Sequence, residues 1–200
     1  MAAEMAEQPR VLEDGLARFD EHVAAVAAIR PPRLAGVQFL ARGSSDHAVV
    51  FGRYLVELVG SRPAGLIAPS IHTRYAAQVD YRGHLVVALS QSGATPEIVT
   101  VLERLGAAGA ATVAVVNDPA SPLADVADAA IAIGAGVELA VPATKTVTGD
   151  LLALVAIAAA LGSLPFDRAA LAALPGAVAG VLADGTAAQE LAARWRWADR

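Results

Sequence analysis

The chain has 200 residues, 56% of them hydrophobic and 18% charged, and a formal net charge of −5, which excludes a disordered chain and leaves enough apolar material for one α/β domain with some extra helix. The acidic balance and the lack of any Lys/Arg run exclude a nucleic-acid surface, which must neutralise many phosphates, but not a small phosphorylated ligand, which backbone N–H groups can hold. The absence of cysteine removes disulfides, thiolate metal sites and cysteine nucleophiles, and neither the start of the chain, with Glu4 and Glu7, nor the longest apolar stretch, Leu151 to Leu161, has the length or character of a signal core or a span of about 20 residues.

Residues 1–30 form an N-terminal helical segment, with an amphipathic helix predicted over Val11 to Ile29 and stopped by Pro31-Pro32. A domain over 31–163 follows. Leu34 to Ala41 reads as a buried strand and Asp46 to Val59 as the helix after it. Ala64 to Ala68 is a weaker strand, followed by a short helix near His72 to Gln78. His84 to Ser90 is a strand, Pro96 to Ala107 its helix, Ala111 to Asn117 a strand, Ser121 to Val126 a short helix, Ala129 to Ile133 a fifth strand, and Lys145 to Leu161 a long apolar helix. Strands alternating with helices imply a parallel sheet covered on both faces, an α/β three-layer sandwich with five strands. Residues 164–200 show no strand pattern. Helices are expected over Asp167 to Leu174, Ala177 to Ala183 and Gln189 to Trp197, broken near Pro175-Gly176.

Two turns carry the chemistry. Strand 84–90 runs into Ser90-Gln91-Ser92-Gly93-Ala94-Thr95-Pro96. Gly93 permits a tight turn, Thr95 is a candidate N-cap, and Pro96 suits a first helical turn. The turn belongs at the carboxyl end of a parallel strand, where open α/β sheets bind ligands, and its N–H groups, hydroxyls and helix dipole favour an anion. An ordinary strand-to-helix connection has the same appearance. The strand ending at Ala41 runs into Arg42-Gly43-Ser44-Ser45-Asp46-His47, built to the same design, so two neighbouring turns could face one ligand.

In these motifs the chain resembles the SIS (sugar isomerase) domain family, in particular the isomerase half of glutamine–fructose-6-phosphate aminotransferases and related phosphosugar isomerases and deaminases. Ser90-Gln91-Ser92-Gly93-x-Thr95 is similar to the family's phosphate loop. Gly43-Ser44-Ser45-x-His47-Ala48 resembles its first glycine–hydroxyl loop, Glu138-x-x-Val141-x-x-Thr144-Lys145 a third motif, and Glu4-Met5-x-Glu7-Gln8-Pro9 the segment that opens the isomerase half. The resemblance covers about Glu4 to Gly162 and implies a flavodoxin-like fold. It implies that Ser90, Gln91, Ser92 and Thr95 hold a sugar phosphate, that Ser45 contacts the phosphate or a hydroxyl, and that Val141 and Ala143 line the sugar through backbone groups. Gly43, Ser44, His47, Glu138 and Lys145 are further candidates by position.

The departures are informative. Ala94 stands where the aminotransferases have an acidic residue, and Ser-Gly-x-Thr-Pro-Glu is closer to stand-alone isomerases and deaminases. Arg42 replaces a small residue or cysteine, Asp46 an aromatic and Ala143 a serine. Without cysteine no glutaminase chemistry is expected. No catalytic base is assigned, because the family's acid/base residues belong to a second SIS domain, to which 164–200 would be the linker. Structural readings stand beside these. His47 packs or caps a first turn, His72 and His84 lie on the surface, and Glu138 is solvated or pairs with Lys145. Trp195 and Trp197 pack on a helix or mark an interface.

The expected function is phosphosugar binding within an isomerase-, aminotransferase- or deaminase-type protein acting on a hexose or amino-sugar 6-phosphate, in the cytoplasm. A non-catalytic sensing module and a truncated SIS protein are the alternatives. No cofactor or metal is expected. The partners are a sugar phosphate and either a second copy, paired through the apolar helix from Lys145, or a second SIS domain, with no nucleic acid or membrane.

Overall fold

The computed structural model describes residues 1–198. In chain order the elements are α1 (Ala2–Ala6), α2 (Gln8–Ala17), α3 (Phe19–Ile29), β1 (Gly36–Leu40), α4 (Ser44–Gly60), β2 (Ala64–Leu66), α5 (Pro69–Thr73), β3 (His84–Ser90), α6 (Pro96–Ala107), β4 (Ala111–Val116), α7 (Pro122–Asp125), β5 (Ala129–Ala132), α8 (Lys145–Leu161), α9 (Arg168–Ala172), α10 (Leu174–Ala183) and α11 (Thr186–Trp195). The five strands form one sheet in the order β2-β1-β3-β4-β5, every pair parallel. Among the described residues no single helix is long and apolar enough to cross a membrane.

Strand β3 shows why the strands read as unbroken apolar runs. Leu85, Val87 and Leu89 point to one face, into a core with Phe39, Val49, Leu154 and Ile157. Val86 and Ala88 point to the other, into a core with Ile98, Leu102, Leu105 and Leu123. Both faces are covered, so alternation of apolar and polar residues is lost. Helices α2, α3, α4 and α8 cover the first face and α6 and α7 the second, giving the expected three layers. Helix α8 runs through the middle of its layer against α2, α3 and α4. Its apolarity is therefore accounted for by burial within the chain, without recourse to a second copy.

Several boundaries differ from expectation for local reasons. The helix expected over Val11 to Ile29 is two helices, hinged at Arg18, whose backbone leaves the α region (φ −103°, ψ 5°). The hinge aims the Arg18 guanidinium at the carbonyls of Ala132 (2.9 Å) and Ile133 (2.8 Å) at the end of β5. The short helix expected near His72 to Gln78 starts instead at Pro69, in the first-turn position that suits proline. Pro175-Gly176 is not a break: Pro175 opens α10, and the interruption falls at Ala173. His72 is buried rather than on the surface, its Nε2 3.2 Å from the Tyr81 hydroxyl, and burial, with Arg104 nearby, pushes its pKa down. His84 is half-buried with its ring edge-on to Tyr81. Trp195 and Trp197 are exposed and pack on no helix core.

The N-terminal segment positions the loop that leads into α8. Glu4 accepts from the backbone N–H groups of Leu139 and Ala140. The Thr148 hydroxyl donates to Gln8 at 2.6 Å. Lys145, 2% exposed, has its ammonium 2.8 Å from the Glu7 carboxylate, which is held below the usual carboxylate range chiefly by that hydrogen bond. A buried ammonium requires such a partner, because desolvation alone disfavours its charge.

Two outcomes follow. Leu154 is fully buried and its tip packs against Gly52 of α4, where a Cβ would lie 2.6 Å from it; Leu154→Ala lowers the unfolding free energy by about 2–5 kcal/mol in urea titrations. Glu7→Gln removes the countercharge of Lys145 and accelerates amide exchange over Leu139 to Lys145, while the β3 amides keep their protection.

Candidate functional site

A cleft of about 210 Å³ lies at the carboxyl ends of β1 and β3, bordered by the loop before α8. Chain order explains its place. From β1 the chain moves outward to β2, and from β3 it moves the other way to β4, so the two strands diverge at a switch point of the sheet. The larger recess between α8, α9 and α10, about 450 Å³, is walled by Leu12, Phe51, Leu151, Val155 and Phe166 and is almost wholly apolar. The cleft instead gathers hydroxyls, an amide and a guanidinium.

The β3 side is the turn Ser90 to Thr95. Gly93 has φ +60°, and a Cβ there would fall 2.4 Å from Ser121 Cβ. Conformation and space both require glycine. Its N–H donates to Ser90 O at 3.1 Å and its carbonyl accepts from Leu123 N at 2.9 Å, which fastens the turn to the start of α7. Thr95 occupies the N-cap position of α6, but its hydroxyl makes no cap bond and lies 3.4 Å from Ser90 Oγ. The expectation of a side-chain cap is thus corrected: the hydroxyl turns toward the cleft edge. The first N–H groups of α6 stay available to an anion. Ser92 Oγ accepts from Ala94 N at 3.3 Å, which leaves the serine proton free.

The β1 side is the start of α4. Gly43 (φ 63°, ψ −132°) sets the N-cap position with no side-chain cap bond, and Ser44 and Ser45 in the first turn line the cleft. Two helix N-termini, those of α4 and α6, therefore converge on one space, and both favour negative charge. Arg42 is the one Lys or Arg lining the cleft among the described residues. Its guanidinium lies 3.3 Å from Glu97 in the first turn of α6, a long, half-exposed pair of little strength.

The third side is the loop carrying Glu138, Ala140, Val141 and Ala143. Glu138 is half-buried, and it is not paired with the Lys145 ammonium, which meets Glu7 instead. Its carboxylate accepts from Thr144 N (2.7 Å), Thr144 Oγ1 (2.8 Å), Lys145 N (2.8 Å) and the Thr146 hydroxyl. It caps α8 from six residues upstream. Burial alone would raise its pKa, but these bonds outweigh burial and lower it.

The site residues expected from sequence divide cleanly. Ser45, Ser90, Gln91, Ser92, Thr95, Val141 and Ala143 all line the cleft, as do Ser44 and Glu138. Gly43 shapes it without lining it. His47 is exposed and away from it, and Lys145 is buried against Glu7. Asp46 does not line the cleft either. Two residues escaped assignment. Arg42 was visible only as a departure from a family pattern. Asp150, 1% exposed, accepts from Ser45 Oγ at 3.2 Å. It was legible as the one charge after Lys145 in an otherwise apolar helix. Burial pushes its carboxyl up to about 7, with the Ser45 hydrogen bond opposing and the Glu138 charge adding to the rise.

Comparison with known proteins bears on the family and the fold. The SIS domain family matches residues 36–160. The glutamine–fructose-6-phosphate aminotransferase (isomerizing) of Xylella fastidiosa is 33% identical over 183 residues, 82% of this chain and 28% of that protein. The Symbiobacterium thermophilum enzyme of the same name is 34% identical over 172 residues, 81% of this chain and 28% of its own. A candidate phosphosugar isomerase from Silicibacter pomeroyi superposes with a TM-score of 0.84 at 38% identity, covering 90% of this chain and 55% of that one. The C-terminal domain of glucosamine-fructose-6-phosphate aminotransferase from Francisella tularensis shares the fold, with a TM-score of 0.72 at 23% identity. This chain thus spans roughly a quarter of the aminotransferases and about half of the structural relatives. With residues 36–160, more than half of the chain, matched by that family's model, the chain belongs to the SIS domain family.

Proposed function

We propose that the cleft binds the phosphate of a phosphorylated sugar, a hexose or amino-sugar 6-phosphate, as part of an isomerase-, aminotransferase- or deaminase-type protein. One observation carries this reading: the 90–95 turn, which leads into α6 without a side-chain cap and carries the Ser90, Ser92 and Thr95 hydroxyls, faces the N-terminus of α4 across a space lined by a single guanidinium. A dianion suits such a place, since two helix N-termini and several donors act on it together. The loop at Glu138 to Ala143 borders the same cleft and would meet the sugar, with Val141, 93% exposed, at its mouth.

Aldose–ketose chemistry needs an acid/base pair near C1 and C2. The titratable groups lining the cleft do not supply one. Glu138 is committed to four hydrogen bonds at the head of α8, and Arg42 does not deprotonate. We assign to this chain the clamp that positions the substrate. The proton-transferring groups would come from a second SIS domain or a second copy, beyond a 164–198 segment whose last helix has no buried residue. The greater length of the relatives, of which this chain spans 28% and 55%, leaves room for this division.

Two titrations test the reading. By calorimetry with fructose 6-phosphate, Ser92→Ala and Thr95→Ala each weaken binding about tenfold, the worth of one hydrogen bond to a charged acceptor. Neutral fructose is not bound. An unchanged affinity in both variants would remove the phosphate from this turn. Arg42→Ala weakens binding by about tenfold or more, and Glu97→Gln, which frees the guanidinium, tightens it several-fold, with both differences shrinking at high salt. The opposite order of the two variants would show that the Arg42–Glu97 pair, not free Arg42, shapes the cleft.

A further inference from the structure

Asp150 stands one layer behind the cleft, on α8. One of its oxygens, Oδ2, takes the Ser45 hydroxyl at 3.2 Å, and the other, Oδ1, is buried without a partner. Ser45 itself lines the cleft from the first turn of α4. A serine hydroxyl has one proton to give. While that proton goes to the Asp150 carboxylate, Ser45 presents only lone pairs to the cleft, and lone pairs repel a phosphate oxygen. When Asp150 is a carboxylic acid, its own O–H donates to Ser45 Oγ, and the serine proton is released toward the ligand.

We propose that Asp150 is a positioning residue that couples phosphate binding in the cleft to the uptake of one proton. The proposal rests on the sugar-phosphate reading above. The balance is simple: one proton passes from solvent to the Asp150 carboxylate, the Ser45 O–H turns from Asp150 to a phosphate oxygen, and no other bond is made or broken. The bound dianion then has a neutral acid behind Ser45 in place of a second negative charge.

The surroundings suit such a device. The loop before α8 brings the Glu138 carboxylate, whose charge disfavours ionisation of Asp150. Helix α2 brings Glu7, already matched with Lys145 at 2.8 Å. Helix α3 brings His22, whose pKa is pushed down by burial and by Arg18. Helix α4 brings Ser45, followed by half-buried Asp46 and exposed His47. Among the described residues no cation is placed to hold the Asp150 carboxylate ionised. Its burial sets the proton exchange near neutral pH, where a modest ligand preference moves it.

The test is calorimetric titration of fructose 6-phosphate at pH 8 in buffers of different ionisation enthalpy. The ligand is already dianionic there, since phosphomonoesters lose their second proton near about pH 6. Wild-type binding takes up close to one proton, and its affinity falls about tenfold per pH unit above about 7. Asp150→Asn, whose amide donates permanently to Ser45, takes up none, shows no such slope and binds about tenfold more tightly than wild type at pH 8. Ser45→Ala keeps the carboxyl and breaks the relay; it binds more weakly and takes up no proton. Equal proton uptake in wild type and folded Asp150→Asn, or retained uptake in folded Ser45→Ala, overturns the proposal and leaves the cleft reading intact. Absence of wild-type binding at both pH 6 and pH 8 overturns the cleft reading itself.

Discussion

A parallel sheet delivers every strand's carboxyl end to the same edge, and the rest of this structure depends on that constraint. Strands β1 and β3 are neighbours with opposite onward paths, so their polar turns open a gap rather than closing over each other. Each turn then feeds a helix, α4 or α6, whose first N–H groups lack side-chain caps. Neither turn alone is more than a strand-to-helix connection. Their adjacency makes a place where partial positive charge accumulates without a cluster of basic residues. A chain of net charge −5 can in this way offer a local anion site.

Acidic groups near that site are handled in distinct ways. Glu138 is held ionised, and its charge is absorbed by the head of α8 through four hydrogen bonds. Glu97 balances Arg42 across the mouth. Asp150 has neither a cation nor a helix terminus, only the Ser45 hydroxyl, and burial pushes its proton affinity up to about 7. The sign of its effect on stability follows. The acid is favoured in the folded chain, so its contribution is fully present below the unfolded pKa of about 3.9. That contribution is lost as pH rises toward about 7.

How much of this was legible in the sequence depended on how local the cause was. The strand over His84 to Ser90 and the helices from Pro96 and Lys145 were readable to the residue, because apolar runs, a first-turn proline and a long apolar stretch are local signals. The hinge at Arg18 was not, because its reason lies more than a hundred residues away, at the carbonyls of Ala132 and Ile133. The cap of α8 by Glu138 was missed for a similar reason. A carboxylate six residues ahead of a helix lies outside ordinary capping distance, and only the loop's path brings it back. The Glu4–Glu7–Gln8 segment drew notice as a site-related element only through a family pattern. Its physical role, holding the loop that borders the cleft, required the tertiary contacts.

The proposed site requires that an anion settle between the first turns of α4 and α6. Backbone amide NMR during titration with fructose 6-phosphate measures that most directly. Saturable shifts are expected to concentrate at Ser44, Ser45 and Gln91 through Thr95, with smaller ones at Val141 and Ala143. Saturable shifts confined to another surface, such as the recess walled by Phe51 and Phe166, would contradict it.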